Sequence, residues 1–196
     1  MPTLLPLPPS AGKMKPAQKL QWFCKWLLAR LGWSMQGQWP DLKKVVIIGA
    51  PHSSAWDVVL VLLVIQGTGM KVVFMGKQEV FQMPIIGSIA KYLGGMPVNR
   101  AAPGGVIEQV AEQIRNSEQM WFALAPEGTR KEVKEWKTGF WKIAKQANVP
   151  VCCAYFHFPD KVIGVGQVFE LSDDMDGDIA KIRAWYKPYQ GRNRGV

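Results

Sequence analysis

The chain has 196 residues, 48% of them apolar, enough to bury a substantial core within a single domain. Its net charge of +9 points to an anionic partner, whether nucleic acid, an anionic membrane surface or an acidic metabolite. Cys24 and the adjacent Cys152 and Cys153 have neither metal-ligand spacing nor the makings of a disulfide framework, which excludes a zinc module or a disulfide-stapled fold and fits a reducing compartment.

Residues 1–16 hold five prolines among Ser, Gly and Lys and are expected to form an extended, weakly ordered arm. Over residues 19–33 apolar side chains recur at Leu20, Phe23, Cys24, Leu27, Leu28 and Leu31, so residues 17–40 are expected to form an amphipathic helix and a linker. Trp22, Trp26 and Trp33 widen that stripe, with Lys19, Lys25 and Arg30 elsewhere on the surface. Indole beside lysine suits an interfacial membrane helix, and the same pattern suits a helix packed on the domain. The β-branched run 45–48, bounded by Gly49 and Pro51, predicts a buried strand. Ser53 or Ser54 can cap a helix that begins near Asp57 and runs to Gln66, apolar on all sides and so expected to be buried.

Beyond it the pattern predicts a strand over 71–75, a helix over 80–92 broken at Pro84 and Gly87, a short strand over 96–98, and a helix from Pro103 that ends near Asn116. A strand over 120–125, a helix over 140–148, a strand over 150–156, a hairpin over 162–169 turning at Gly164 or Gly166, and a helix over 179–189 complete the order. This alternation argues for an α/β domain over 41–196, with a central mostly parallel or mixed sheet flanked by helices. The longest apolar run, 58–65, falls short of the roughly 20 residues that span a bilayer, and no cleavable signal is visible, so a soluble or peripheral protein is expected.

His52 stands in the turn between the strand and the helix, five residues before Asp57. Side chains five apart on one helix point roughly 140° away from each other, so the two can meet only if His52 belongs to the turn. An imidazole held at one nitrogen by a carboxylate keeps the other free to accept a proton, which makes a general base. The plainer alternative is a capping or packing pair. Loops at later strand ends carry cations: Lys77, Arg100, and Arg130 in Pro126-Glu127-Gly128-Thr129-Arg130. Guanidinium and ammonium groups gathered there suit a phosphate, although each alone also reads as a solvated surface residue. Glu127 among them would orient an arginine, bind a substrate hydroxyl or form an exposed ion pair. His157, in Phe156-His157-Phe158, reads as structural.

The order of these blocks resembles the glycerolipid acyltransferase family, which includes bacterial 1-acylglycerol-3-phosphate acyltransferases. The resemblance covers about residues 45–164 and rests on HSSAWD, GKQEVFQMP, GGMPVNR, PEGTR and VPVCCAYF. It implies that His52 and Asp57 form the catalytic dyad, that Lys77 and Arg100 lie at a phosphate, and that Glu127, Gly128, Thr129 and Arg130 bind the acceptor. VPVCCAYF would help to line the acyl pocket. Pro51 and Ala125 stand where many members have asparagine and phenylalanine.

The activity implied is transfer of a fatty acyl group from an acyl-CoA or acyl-carrier-protein thioester to the hydroxyl of a lysophospholipid or related glycerol phosphate. The thioester is a co-substrate; no other cofactor and no metal is implied. A thioester is already activated, so no enzyme nucleophile is required, in keeping with the lack of a Gly-x-Ser-x-Gly elbow. The Ser53-Ser54 turn is the candidate source of oxyanion-binding amides, and residues 58–65, 80–86 and 149–156 are candidate walls of an acyl groove. Trp136, Lys137 and Gly139 are placed to close over the acceptor loop. A membrane surface is the expected partner, with the protein peripheral on the cytoplasmic face. The competing readings are a non-catalytic protein that binds anionic lipid, and an acyltransferase with a non-glycerolipid acceptor. Nucleic acid is not expected as a partner, because no aromatic ladder or helix-turn-helix spacing accompanies the cations.

Overall fold

The computed structural model describes residues 4–99 and 105–196, with Lys77 and Val80 described by backbone only. In chain order the elements are α1 (Gln18–Arg30), β1 (Ser34–Gly37), β2 (Lys44–Ala50), α2 (Ala55–Thr68), β3 (Phe74–Lys77), α3 (Gln78–Gln82) and α4 (Pro84–Tyr92). Then come β4 (Gly95–Val98), α5 (Gly105–Asn116), β5 (Met120–Leu124), α6 (Gly139–Ala147), β6 (Val151–His157), β7 (Val162–Phe169) and α7 (Met175–Tyr186).

Five strands form a mixed sheet in the order β1-β7-β6-β2-β5, with β6 and β7 antiparallel and the other pairs parallel. β3 and β4 form a parallel pair beside it, joined through Val73, whose backbone bonds to Trp121 and Ala123 of β5. Side chains on a strand alternate between faces, so β2 feeds two cores at once. Val46, Ile48 and Ala50 pack toward α5, α6 and α7, and Val45 and Ile47 pack toward α1 and α2. These five residues are all buried, which explains why the run reads as continuously apolar. The expected α/β fold with a mixed central sheet is therefore the fold observed.

Several local expectations differ. Residues 34–37, expected in a linker, form the edge strand β1, which pairs with β7 from Ser34–Val162 to Gly37–Val165. Residues 162–169 form one continuous strand; β6 already supplies an antiparallel partner for its whole length, so no turn forms at Gly164 or Gly166. The helix break falls at Pro84 alone, and Gly87 stays inside α4. Leu4, Leu5, Leu7 and Met14 pack against the α1–α2 core, and Ala11 is buried, so the described part of the proline-rich arm lies on the domain.

α1 packs on the domain, one of the two roles considered for it: Cys24 and Leu28 pack inward along α2, while Trp22, Phe23 and Trp26 face outward, the two indoles stacked at 6.3 Å. α2 is only half covered. Leu60, Leu63 and Val64 are buried, but Trp56, Val58, Val59 and Val61 are exposed, because the sheet and α1 cover a single side of the helix.

Candidate active site

Three parallel strands, β2, β5 and β6, deliver their C-terminal ends to one edge of the sheet, where open α/β sheets place their ligands. At the end of β2 the chain turns through Pro51, His52 and Ser53, and Ser54 becomes the N-cap of α2, its Oγ accepting from the Trp56 amide at 3.2 Å. Asp57 sits one turn into the helix and folds back. Its Oδ2 accepts from the Ser53 and Ser54 amides, each at 2.9 Å, and lies 3.1 Å from His52 Nδ1. The capping box that starts the helix is thus also the device that grips the imidazole. Asp57 is 1% exposed and the His52 side chain 21%. With Nδ1–H donating to the carboxylate, Nε2 is left as the proton acceptor.

The two amides proposed as oxyanion donors are therefore occupied. Ser53 N and Ser54 N both donate to Asp57, which removes them from that role.

Glu127 follows β5 and is buried. Its Oε2 accepts from the His52 amide at 2.8 Å and its Oε1 from Arg194 Nη1 at 3.1 Å. Both oxygens face protein partners, so Glu127 braces the turn that carries His52. The ion pair is buried, contrary to the exposed pair considered, and the arginine it holds comes from beyond α7. Burial raises the Glu127 carboxyl above its ordinary range; Arg194 and the His52 amide pull it back only in part.

In front of His52 opens a cleft of about 680 Å³. His52, Thr129, Arg130 and Lys137 supply polar groups to its lining, and Phe74, Met75, Val106, Ile107, Phe140 and Ile143 supply its apolar walls. Gly128 has φ +66 and a Cβ there would meet the Lys137 side chain at 2.8 Å, so glycine lets the loop and Lys137 approach each other. Lys137 is tied to the loop by its own amide, which donates to Pro126 O at 2.9 Å. Gly139 also borders the cleft, whereas Trp136 is buried against Phe140 and Tyr186.

Of the residues singled out in the sequence, His52, Gly128, Thr129 and Arg130 border this one cleft, with Asp57 directly behind His52. Lys77 ends β3, its backbone paired with Val98; its side chain and Arg100 lie outside the described residues. The walls are not those expected. Residues 58–65 expose one face to solvent and pack the other against α1, Met83, Ile85 and Ile86 of the 80–86 segment are exposed away from the cleft lining, and β6 is buried in the sheet, so the apolar lining comes from the start of β3, the end of β5, and α5 and α6. Cys152 and Cys153 are fully buried in β6; burial pushes the Cys152 thiol up to about 12 and Cys153 higher still, so neither is a reactive thiolate. His157 Nδ1 accepts from the Gln190 amide at 3.1 Å, a structural contact away from the cleft. Arg194 and Asn193 went unnoticed in the sequence, since their partners Ser53 and His52 are 140 or more residues away and no local pattern links them.

A protein-family model described as Acyltransferase matches residues 34–157, well over half of the chain and the span that holds His52, Asp57 and Arg130. The chain belongs to the acyltransferase family. Its fold is similar to that of the 1-acyl-sn-glycerophosphate (LPA) acyltransferase PlsC from Thermotoga maritima, at 19% identity and a TM-score of 0.58 over 84% of this chain and 75% of that one. No curated protein matches the sequence. The resemblance carried by the sequence blocks thus agrees with both family and fold. In this acyltransferase Asn193 and Arg194 lie outside the matched span. No helix among the described residues is long and apolar enough to cross a membrane.

Proposed function

We propose that this acyltransferase moves a fatty acyl group from an acyl-CoA or acyl-carrier-protein thioester to the free hydroxyl of a lysophospholipid or related glycerol phosphate, with His52 as general base. The observation that carries this reading is the 3.1 Å contact of His52 Nδ1 with buried Asp57, on the border of a cleft that also contains Arg130 and Lys137. His52 Nε2 takes the acceptor's hydroxyl proton as the oxygen forms its bond to the thioester carbonyl carbon. The tetrahedral intermediate then collapses, the C–S bond breaks, and the imidazolium returns the proton to the departing thiolate. Asp57 holds the imidazole and stabilises its charged form during that interval. Arg130 and Lys137 supply positive charge for the acceptor's phosphate, which orients the hydroxyl toward the base. The apolar lining suits an acyl chain.

The acceptor is a lipid, and the surface beside the cleft suits a bilayer. Exposed Trp22, Phe23 and Trp26 on α1, Trp56, Val58, Val59 and Val61 on α2, and Ile85, Ile86 and Ile89 on α4 present apolar side chains. α1 packs along α2, and Tyr92 at the end of α4 meets Gln66 of α2 at 3.4 Å, so the three helices adjoin. Trp56 lies only four residues from His52. With Lys19, Lys25 and a net charge of +9, this face suits peripheral binding to an anionic membrane on the cytoplasmic side.

Product mass spectrometry tests the acceptor class. With one acyl-CoA and a pool of lysophospholipids, monoacylglycerol and simple alcohols, we expect acylation of the phosphate-bearing members; preferential acylation of phosphate-free alcohols overturns the assignment. Arg130→Ala is expected to raise the acceptor's KM more than the donor's, and an equal effect on a phosphate-free acceptor counts against the phosphate contact.

A further inference from the structure

Residues 190–196 leave α7 and return across the turn that carries His52. At the base of this segment the Phe158 amide donates to Gln190 O at 2.8 Å and the Gln190 amide donates to His157 Nδ1 at 3.1 Å, which fixes it to the end of β6. Gly191 passes so near the turn that a Cβ there would lie 2.5 Å from Ser53 Oγ, and only glycine permits that approach. Asn193 then takes hold of Ser53 twice, its amide donating to Oγ at 3.2 Å and its Nδ2 to the backbone oxygen at 2.7 Å.

Arg194 completes the clasp. Nη1 donates to Glu127 Oε1 at 3.1 Å, and Nη2 donates to His52 O at 3.2 Å and to Lys131 O at 2.9 Å. Glu127 in turn accepts the His52 amide, so both the N–H and the C=O of His52 are held, one by each member of a single ion pair. A guanidinium presents its donors from one rigid plane. The turn after β2 and the loop after β5 are therefore fixed relative to each other through this one ion pair. The first carries the base and the second carries Arg130.

We propose that residues 190–196 are a strap across the active site and that Arg194 is a positioning residue for His52, setting the imidazole against the acceptor hydroxyl. The proposal rests on His52 being the base. It assigns Arg194 an effect on turnover of the complex with both substrates bound and none on substrate affinity, since both Nη groups are spent on protein oxygens and Nε is buried away from the cleft without a partner.

The experiment measures kcat and KM in the full-length protein with an acyl-CoA and a 1-acylglycerol 3-phosphate. Arg194→Ala is expected to lower kcat about 10- to 100-fold, the range that a displacement of roughly 1 Å in reacting groups produces, with both KM values within about twofold of wild type. Added guanidinium is expected to restore part of the lost rate, and methylammonium, which lacks the planar fork, is not. Wild-type kcat in Arg194→Ala, or a loss that guanidinium does not relieve, overturns the proposal. Because Arg194→Ala also strands the buried Glu127 carboxylate and can unfold the protein, Asn193→Ala provides a second reading that leaves the ion pair in place. It is expected to lower kcat several-fold at unchanged KM and unchanged melting temperature; a wild-type kcat there equally overturns the proposal. His52→Ala run alongside separates the two ideas, since full activity in that variant removes the base itself, whereas an inactive His52→Ala beside fully active Arg194→Ala and Asn193→Ala removes only the strap.

Discussion

At the scale of single residues, the site is a small set of oxygen atoms spent on holding one imidazole. Asp57 Oδ2 accepts three times, from Ser53 N, Ser54 N and His52 Nδ1. Asp57→Asn keeps an oxygen for the amides but loses the charge that stabilises an imidazolium, so kcat is expected to fall about 10²-fold or more, with KM little changed. Steady-state kinetics on the purified variant checks this; a kcat within a few-fold of wild type contradicts it. Glu127 gives a pH prediction. Its raised carboxyl holds a proton to higher pH in the folded protein than in the unfolded chain. The stability it contributes is therefore present below the ordinary glutamate range and is lost as pH rises through the raised folded value. Urea unfolding of wild type and Glu127→Gln across that acid window is expected to show the difference, wild type minus variant, falling as pH rises and levelling above it. A difference that rises with pH contradicts the assignment.

At the scale of elements, α7 is what brings the strap to the site. Tyr186, fully buried, has its one hydroxyl proton shared between Ile48 O at 2.7 Å and Ala154 O at 2.9 Å, which pins the end of α7 across β2 and β6 just before residue 190. Tyr186→Phe leaves those buried carbonyls without this donor and is expected to lower unfolding stability by about 1–3 kcal/mol in denaturant titration, with a loss below ~0.5 kcal/mol counting against the pin. Much of this level was legible in the sequence, because strands with both faces buried read as unbroken apolar runs and capped helices announce their starts; β2, β5, β6, α6 and the end of α5 fall within a residue or two of expectation, while the expected start of α5 at Pro103 lies outside the described residues. What was not legible depends on partners distant in the chain. β1 is a strand because β7 lies beside it, and residues 162–169 stay straight because β6 accompanies them. The His52–Asp57 contact could be anticipated, since a cap, a turn and a spacing of five residues are all local. The Arg194 clasp and the cleft walls from β3, α5 and α6 could not, since they arise only when segments scores of residues apart share one edge of the sheet.

At the scale of the whole molecule, the turn that carries His52 stands at the margin of an apolar surface made by α1, α2 and α4, in a chain of net charge +9. Vesicle sedimentation is expected to show binding to anionic bilayers that weakens with salt, and Trp22→Ser with Trp26→Ser is expected to reduce it several-fold while leaving turnover of a soluble short-chain acceptor near wild type. Unchanged vesicle binding in the double variant contradicts a docking role for α1. The account as a whole depends on His52 acting as a base on an acceptor hydroxyl. Its most direct measurement is thiol release from an acyl-CoA by wild type and by folded His52→Ala, each with and without a 1-acylglycerol 3-phosphate. Acceptor-dependent release in wild type, reduced about 10²- to 10⁴-fold in His52→Ala, is the predicted result; acceptor-dependent release that persists near the wild-type rate without the imidazole would contradict it.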